Sequence, residues 1–142
     1  MKVYQAGPLF TEAEILWHRA FSQKLTTAGY EVQWPGDFFT QEEIDAWGED
    51  APEHIMNRDR AAIDACDVVV ALLDGVQVDD GTAWEIGYAF AKGKSVVGIR
   101  TDFRNAGDTA HGKVNAMIEG SCVGIAKDFD GVLKLIRKMF DN

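Results

Sequence analysis

The chain has 142 residues, with 14 Lys or Arg against 23 Asp or Glu and a net charge of −9 at pH 7. Hydrophobic residues make up 46% and charged residues 26%, the balance of a folded globular domain rather than a disordered chain. An acidic surface repels phosphate backbones and anionic lipid, so neither nucleic acid nor membrane is expected as a partner, while small neutral ligands stay open. The longest apolar run, Val68 to Leu73, is far short of the about 20 residues that cross a bilayer. The opening Met1-Lys2-Val3-Tyr4-Gln5-Ala6 reads as a strand rather than a secretion signal. Cys66 and Cys122 form no CxxC, and His18, His54 and His111 form no HxH or HxxxH pair. No disulfide framework and no metal site are expected, and a cytoplasmic location follows as the default.

A single domain over 1–142 is expected, since no repeat or Pro/Gly/Ser-rich linker divides the chain. Lys2–Ala6 reads as the first strand. Over Thr11–Ala28, Ile15, Leu16, Ala20, Phe21 and Leu25 recur near a 3.6-residue period, Thr11 with Glu14 forms a capping-box signature, and Gly29 stops the helix. Tyr30–Trp34 is a second strand, ended by Pro35-Gly36. Phe38–Ala51 is an insertion with aromatics and many acids, expected as loop with a helical turn. Pro52–Ala65 is a helix. Asp67–Leu73 is a continuous β-branched run, the mark of a strand buried on both faces. After the loop Asp74–Asp80, Thr82–Lys92 is a helix with Thr82 as its expected cap. Ser95–Arg100 is a strand, Thr101–Gly112 a polar loop, Val114–Glu119 a short helix, Ser121–Ile125 a strand and Asp128–Phe140 the closing helix.

Strict alternation of strand and helix predicts a doubly wound α/β fold. Right-handed crossovers favour a flavodoxin-like, five-stranded parallel sheet in the order 2-1-3-4-5 with helices on both faces. In such folds ligands bind beyond the carboxyl ends of the strands, where the order reverses. Three segments therefore deserve the search: Tyr4–Phe10, Asp74–Glu85 and Thr101–Asn115.

In the first, Gly7-Pro8 marks a tight strand-to-helix turn. No phosphate-loop lysine and no GxGxxG occur. In the second, Asp79, Asp80 and Glu85 cluster near one helix start. Acids there are often plain dipole partners, which accounts for Asp79 or Asp80. It accounts less well for Glu85, whose neighbours Ala83, Ile86, Gly87 and Ala89 describe a closely packed helix. An acid among small and apolar residues needs a partner or a task. Asp59 lies between Arg58 and Arg60, so a surface ion pair is its simplest reading. Asp67 opens a strand and suggests a cap or turn. Trp17 and Trp34 read as core, and the three histidines as surface or core. Phe38, Phe39 and Trp47 are either satellite packing or the wall of an aromatic pocket.

Taken in order, these segments resemble the nucleoside 2-deoxyribosyltransferase family. The matching pieces are Tyr4-Gln5-Ala6-Gly7-Pro8-Leu9-Phe10, Asp59 eight residues before Asp67, Asp79-Asp80-Gly81-Thr82-Ala83-Trp84-Glu85-Ile86-Gly87-Tyr88-Ala89, and Val114-Asn115-Ala116-Met117-Ile118-Glu119-Gly120. The string from Asp79 to Gly87 is the specific one. The resemblance implies that Glu85 is the nucleophile, that Asp79 handles the nucleobase, and that Asp59 is a second base-site aspartate. It implies that Tyr4 hydrogen-bonds the nucleophile and that Asn115 reaches the sugar of a neighbouring subunit. Gly7, Asp80 and Gly81 would line the substrate site. It also implies a homodimer or a multiple of dimers, deoxynucleosides and nucleobases as small-molecule partners, and no cofactor.

A carboxylate nucleophile and an acid suit an N-glycosidic bond, as they suit glycosides. Either Asp79 or Asp59 would protonate the leaving base. One alternative on the same fold is an N-glycosidase hydrolysing (deoxy)nucleoside 5′-monophosphates. Against it, Gly7 to Glu14 holds no serine or arginine and two glutamates, although Arg100 and Arg104 remain as phosphate partners. A phosphorylation-receiver domain would need acids where Tyr4-Gln5-Ala6-Gly7 stands. A non-enzymatic nucleoside-sensing module is the remaining alternative. Base preference, the ratio of transfer to hydrolysis, dimer against hexamer, and the role of the Phe38–Trp47 insertion stay open.

Overall fold

A computed structural model describes residues 1–140. Its strands are β1 (Lys2–Ala6), β2 (Glu31–Gln33), β3 (Val68–Leu72), β4 (Ser95–Ile99) and β5 (Gly124–Ala126). Its helices are α1 (Glu12–Thr27), α2 (Gln41–Trp47), α3 (Ala51–Ala65), α4 (Asp80–Ala91), α5 (Ala116–Ser121) and α6 (Phe129–Phe140). All pairings are parallel and the order is β2-β1-β3-β4-β5, the predicted doubly wound sheet. None of the described helices is long and apolar enough to cross a membrane.

The two-residue period of a strand sorts its side chains onto two faces. Val3, Val68, Val70 and Leu72 pack with Phe21 and Leu25 of α1 and with Val132 and Ile136 of α6. Tyr4, Ala6, Val69 and Ala71 pack on the other face with Ala62 and Ile63 of α3 and Ile86 and Ala89 of α4. Each such aliphatic side chain contributes about 1.5–3 kcal/mol by leaving water. The same alternation aims Tyr4 at α3 and α4 and Gln5 at α1. The α1 start is a complete capping box: the Glu14 N–H donates to Thr11 Oγ1 at 3.2 Å and the Thr11 N–H to Glu14 Oε2 at 2.8 Å.

Several boundaries differ from the sequence reading. The Phe38–Ala51 insertion holds a two-turn helix, α2, begun by a second capping box of Thr40 and Glu43. Helix α4 is capped by Asp79, not Thr82, which is buried within the first turn. Helix α5 begins two residues later than expected, capped by Asn115. Val114 is buried in the chain's own core. Strand β2 is shorter than Tyr30–Trp34 because Trp34 leaves the sheet to stack on His18. Strand β5 likewise falls at Gly124–Ala126 rather than Ser121–Ile125.

Candidate active site

At the carboxyl half of β1 the sheet presents Tyr4, which is 0% exposed. Its phenol donates to Glu85 Oε1 at 2.7 Å. Glu85 sits in the second turn of α4, beside Ile86, which faces the sheet. Burial pushes the Glu85 carboxyl up to about 8; the Tyr4 hydrogen bond pulls it down, and the charges of Asp59 and Asp79 push it up again. Burial and the Glu85 and Asp59 charges hold the Tyr4 phenol far above its ordinary value, so it remains a donor. The bond engages Oε1 and leaves Oε2 without a partner among the described residues.

Asp59 joins this pair from α3. Among the described residues Asp59 forms no ion pair: the Arg58 guanidinium carbon lies over the Phe38 ring, 3.8 Å from its centroid, and Arg60 donates to Asn57. Asp59 Oδ1 is instead buried without a hydrogen-bond partner. Burial raises this carboxyl to about 6, against the weaker pull of Arg58. A buried carboxyl without a donor favours its neutral form, because the anion would lose its hydration uncompensated.

Asp79 has a different environment. Its Oδ2 accepts from the Thr82 amide and the Thr82 hydroxyl, both at 2.9 Å, at the positive end of α4. In that position Asp79 is the N-cap acceptor of the helix. Asp80 accepts only from the adjacent Gly81 amide at 2.8 Å; it is exposed, whereas Asp79 is half-buried. Asp67 accepts from the Lys2 amide at 2.6 Å and ties the start of β1 to the start of β3, a role outside the site.

Gly7 is required where it stands. Its φ is +154°, and a Cβ would lie 2.5 Å from the His18 imidazole. His18 is wholly buried, with Gln5 Nε2 at 2.8 Å from its Nδ1. The Gln5 carbonyl in turn accepts from Ser22 at 2.9 Å. This polar triad under the first turn escaped sequence analysis; a glutamine inside an otherwise apolar strand was its signal. Burial lowers His18 to about 4, opposed by the Pro8 backbone and Glu14, so the ring is neutral.

Asn115 is not brought to Glu85. Its Oδ1 accepts from the Met117 amide at 3.0 Å and its Nδ2 donates to Asp108 at 3.2 Å. It lines a groove of about 1190 Å³ between α4 and α5, with Asp79, Asp80, Val76, Phe90 and Met117. Tyr4, Asp59 and Glu85 do not line that groove. The insertion forms a chain of rings: Phe38 against Phe39, Phe39 against Trp47, and Trp47 stacked on His54 at 4.6 Å. Phe38 also packs against the core face that holds Tyr4. Among the described residues no three His, Cys, Asp or Glu side chains are grouped to hold a metal.

A tyrosine, a desolvated glutamate and a half-buried second carboxyl beside a parallel sheet form a candidate acid–base site, and the match of the chain to a family model indicates an enzyme of the N-glycosyl transfer or hydrolysis type. The chain belongs to the nucleoside 2-deoxyribosyltransferase family, whose model matches residues 3–118. No curated protein gives a significant match. Among solved structures, a conserved protein from Enterococcus faecalis V583 is 26% identical over 99% of both chains, with a TM-score of 0.80. A 2-deoxyribosyltransferase from Bacillus psychrosaccharolyticus is 24% identical over 93% of this chain and 90% of its own, at a TM-score of 0.72. A CMP N-glycosidase from Clostridium botulinum is 22% identical over 96% and 99%, at 0.63. The last two are likenesses of fold.

Proposed function

We propose that the protein transfers a 2-deoxyribosyl group between nucleobases through a covalent intermediate on Glu85, with net retention. The observation that carries this reading is the 2.7 Å bond from buried Tyr4 to a desolvated Glu85 beside the unpartnered Asp59 carboxyl. The Glu85 anion attacks the anomeric carbon through Oε2. The N-glycosidic bond breaks, its electron pair stays with the departing base, and the Asp59 proton goes to a base nitrogen. The product is a glycosyl ester on Glu85. The incoming base gives its proton back to Asp59 and displaces Glu85 from the same face, so two inversions give retention. Tyr4 holds Oε1 throughout and stabilises the carboxylate both before attack and on departure.

The work divides between the two aspartates in the reverse of the order the family resemblance implied, which gave the base-activating role first to Asp79 and a base-site role to Asp59. Asp59, buried and unpartnered, is the proton carrier. Asp79 fixes the start of α4 and thereby the position of Glu85, with Oδ1 available to the base. No step calls for a metal or organic cofactor. Deoxynucleosides are favoured over their 5′-phosphates because the Phe10 and Thr11 amides of the first turn already donate to the Glu14 carboxylate, at 2.9 and 2.8 Å. Those N–H bonds hold Glu14 below its ordinary value despite some burial, and its charge repels a phosphate.

Incubation with a deoxynucleoside and a second free base tests the reading. Exchanged nucleoside is expected. Free deoxyribose alone, or turnover only of 5′-monophosphates, would overturn it in favour of hydrolysis.

The site is completed in this proposal by a second copy of the chain. Val76, Phe90 and Met117 are exposed along the α4–α5 groove, and a two-fold contact there covers them while carrying Asn115 toward the partner's sugar site. Glu85→Ala and Asn115→Ala proteins are each expected to be poorly active. Mixed under subunit exchange, they should regain activity in roughly a quarter of all sites. Activity that stays at the sum of the parents, with exchange demonstrated by mass-tagged subunits, removes Asn115 from the partner's site.

A further inference from the structure

Beyond the ends of β4 and β5 lies a second cavity of about 320 Å³, which shares Arg100 with the α4–α5 groove but none of Asp79, Asp80 or Asn115. Its wall holds Arg100, Arg104, Lys113 and Lys127 against one carboxylate, Asp102, in a chain whose net charge is −9. The concentration of positive charge is local and has no part in the chemistry at Glu85.

The built element of this cavity is Arg100, only 6% exposed. Its Nη1 donates to the Leu73 carbonyl at 2.5 Å, both Nη atoms to Gly75 O at 3.1 Å, and Nη2 to Arg104 O at 2.8 Å. Those bonds fix the guanidinium plane. Its Nε is buried and has no partner. A buried N–H on a cation, left without an acceptor, is costly and calls for one.

The nearby acids are already engaged. Asp102 takes a two-pronged bond from Arg104, at 2.9 and 3.1 Å from Nε and 2.5 Å from Nη2, and stands 3.9 Å from Arg100. The Arg104 bonds hold Asp102 far below the usual carboxylate range. Asp74 accepts from the Thr101 and Asp102 amides at 2.6 and 3.0 Å and from the Thr101 hydroxyl. Lys113 and Lys127 form no ion pair among the described residues. The cavity wall therefore carries one residue with an orphaned guanidinium N–H and two lysines outside any ion pair among the described residues.

We propose that this cavity is a second ligand site, taking the phosphate of a small phosphate compound. Arg100 supplies a fixed donor, and Lys113 and Lys127 supply charge and mobile donors. Phe103, 96% exposed on the same wall, offers a face on which a nucleobase stacks. The cavity exceeds the volume of a phosphate and lies at the lower end of the about 300–1,000 Å³ typical of ligand pockets. A nucleoside 5′-monophosphate fills it better than the free ion. The site stands independently of the reaction proposed at Glu85.

The test is amide NMR of the whole chain, titrated with inorganic phosphate and separately with deoxyadenosine 5′-monophosphate. Sodium chloride of equal ionic strength is the control, since exposed charges are screened. Shifts are expected at residues 100–105, 113 and 125–127. A Lys113→Glu, Lys127→Glu double variant should weaken binding at least about tenfold and leave deoxyribosyl transfer in phosphate-free buffer unchanged. Tighter binding of the nucleotide, reduced by Phe103→Ala to the level of the free ion, supports the site and identifies the nucleotide as its ligand. Equal affinity for both compounds supports the site with phosphate itself as ligand. Shifts matched by chloride, shifts confined to the Gly7 turn and Glu85, or an unaffected double variant would overturn the proposal.

Discussion

Tyr4 and Gln5 are neighbours on one strand, both polar, both buried, and they point to opposite faces of the sheet. On the α1 face, Gln5 spends its whole amide: Nε2 lies 2.8 and 2.9 Å from the His18 Nδ1 and carbonyl, and Oε1 accepts from Ser22. The ring beyond it is stacked on Trp34 and closed off by Gly7. On the α3–α4 face, Tyr4 makes one bond and the carboxyls around it keep two oxygens unengaged, Glu85 Oε2 and Asp59 Oδ1. The first arrangement stores its polarity internally and fixes a turn. The second leaves acid–base capacity for a ligand to use. The α1 face also holds two unpartnered ring nitrogens, His18 Nε2 and Trp34 Nε1; what sets the α3–α4 face apart is that its open atoms are carboxyl oxygens, which can carry and accept protons.

The strongest way to break that contrast is to remove one group from each face. Glu85→Ala should lower turnover by about 10³–10⁵-fold, since a covalent step loses its nucleophile, with the fold retained by circular dichroism. Peptide mass spectrometry of a trapped deoxyribosyl adduct should locate it on Glu85 and not on Asp79 or Asp80. Gln5→Leu should act in the opposite sense. It strands Ser22 and the His18 Nδ1, costs about 1–3 kcal/mol of stability, and leaves the chemical step intact in whatever fraction folds. Near-native turnover in Glu85→Ala would refute the assignment.

A finer division lies within the α3–α4 face. Asp59→Asn should reduce transfer from natural deoxynucleosides by about 10²–10⁴-fold, the usual worth of a general acid. A nitrophenyl deoxyriboside, whose leaving group needs no proton, should recover most of that loss. Asp79→Asn should cost less and cost the same on both substrates, because an amide oxygen still accepts from Thr82. With Glu85 near 8 and Asp59 near 6, kcat/KM against pH should be bell-shaped with limbs near those values. The reactive form keeps the proton on Asp59 and the charge on Glu85, the less populated arrangement of a shared proton. Asp59→Asn should erase the alkaline limb. Equal substrate effects for both variants would return the acid role to neither.

The sheet order was legible because β3 and β4 are compact, mostly apolar runs and strands alternate with helices along the chain. Tyr4 and Glu85 were singled out as a pair, and the structure brings them into contact across 81 residues. What escaped has local causes. Thr82 and Asp79 are both good caps, and only the backbone geometry shows that Thr82 donates while Asp79 accepts. Arg58 and Arg60 flank Asp59 in sequence, but one helical residue step is about 100°, so the three side chains point to different neighbours. Helix α2 was hidden by its shortness, although Thr40 and Glu43 announced its start as plainly as Thr11 and Glu14 announced α1. Arg100 stood out only as a possible phosphate partner, and its burial was not legible, since an arginine after a strand usually ends in water.

Gly7 closes the α1 face, and Gly7→Ala should disturb that face first. The new methyl would fall 2.5 Å from the imidazole and 3.1 Å from the Leu72 Cβ, at a φ of +154°. A loss of about 2–3 kcal/mol is expected from the overpacking, read as a lower urea midpoint with unchanged slope. Adding His18→Ala should recover part of it, because the obstructing ring is gone. No recovery would mean that the backbone, rather than the ring beneath it, demands glycine.

The smallest expected effect bears most directly on the desolvated carboxyl. Glu85 is held near 8 in the fold against an ordinary value of 4.5, so between those limits the folded state binds more protons than the unfolded one. Stability from this group is fully present below pH 4.5 and is lost as pH rises through about 8. Asp59, raised from 3.8 to about 6, has the same sign over a lower window. Glu85→Gln keeps the shape and the Tyr4 contact but cannot ionise. Its stability should match the parent at pH 4 and exceed it at pH 9 by about 1–2 kcal/mol, the partial exposure of the carboxyl reducing what full burial would contribute. Urea unfolding at the two pH values measures the difference. If the variant is no more stable at pH 9, the Glu85 carboxyl is already anionic in the resting site, and the contrast between a spent and an unspent face rests on Asp59 alone.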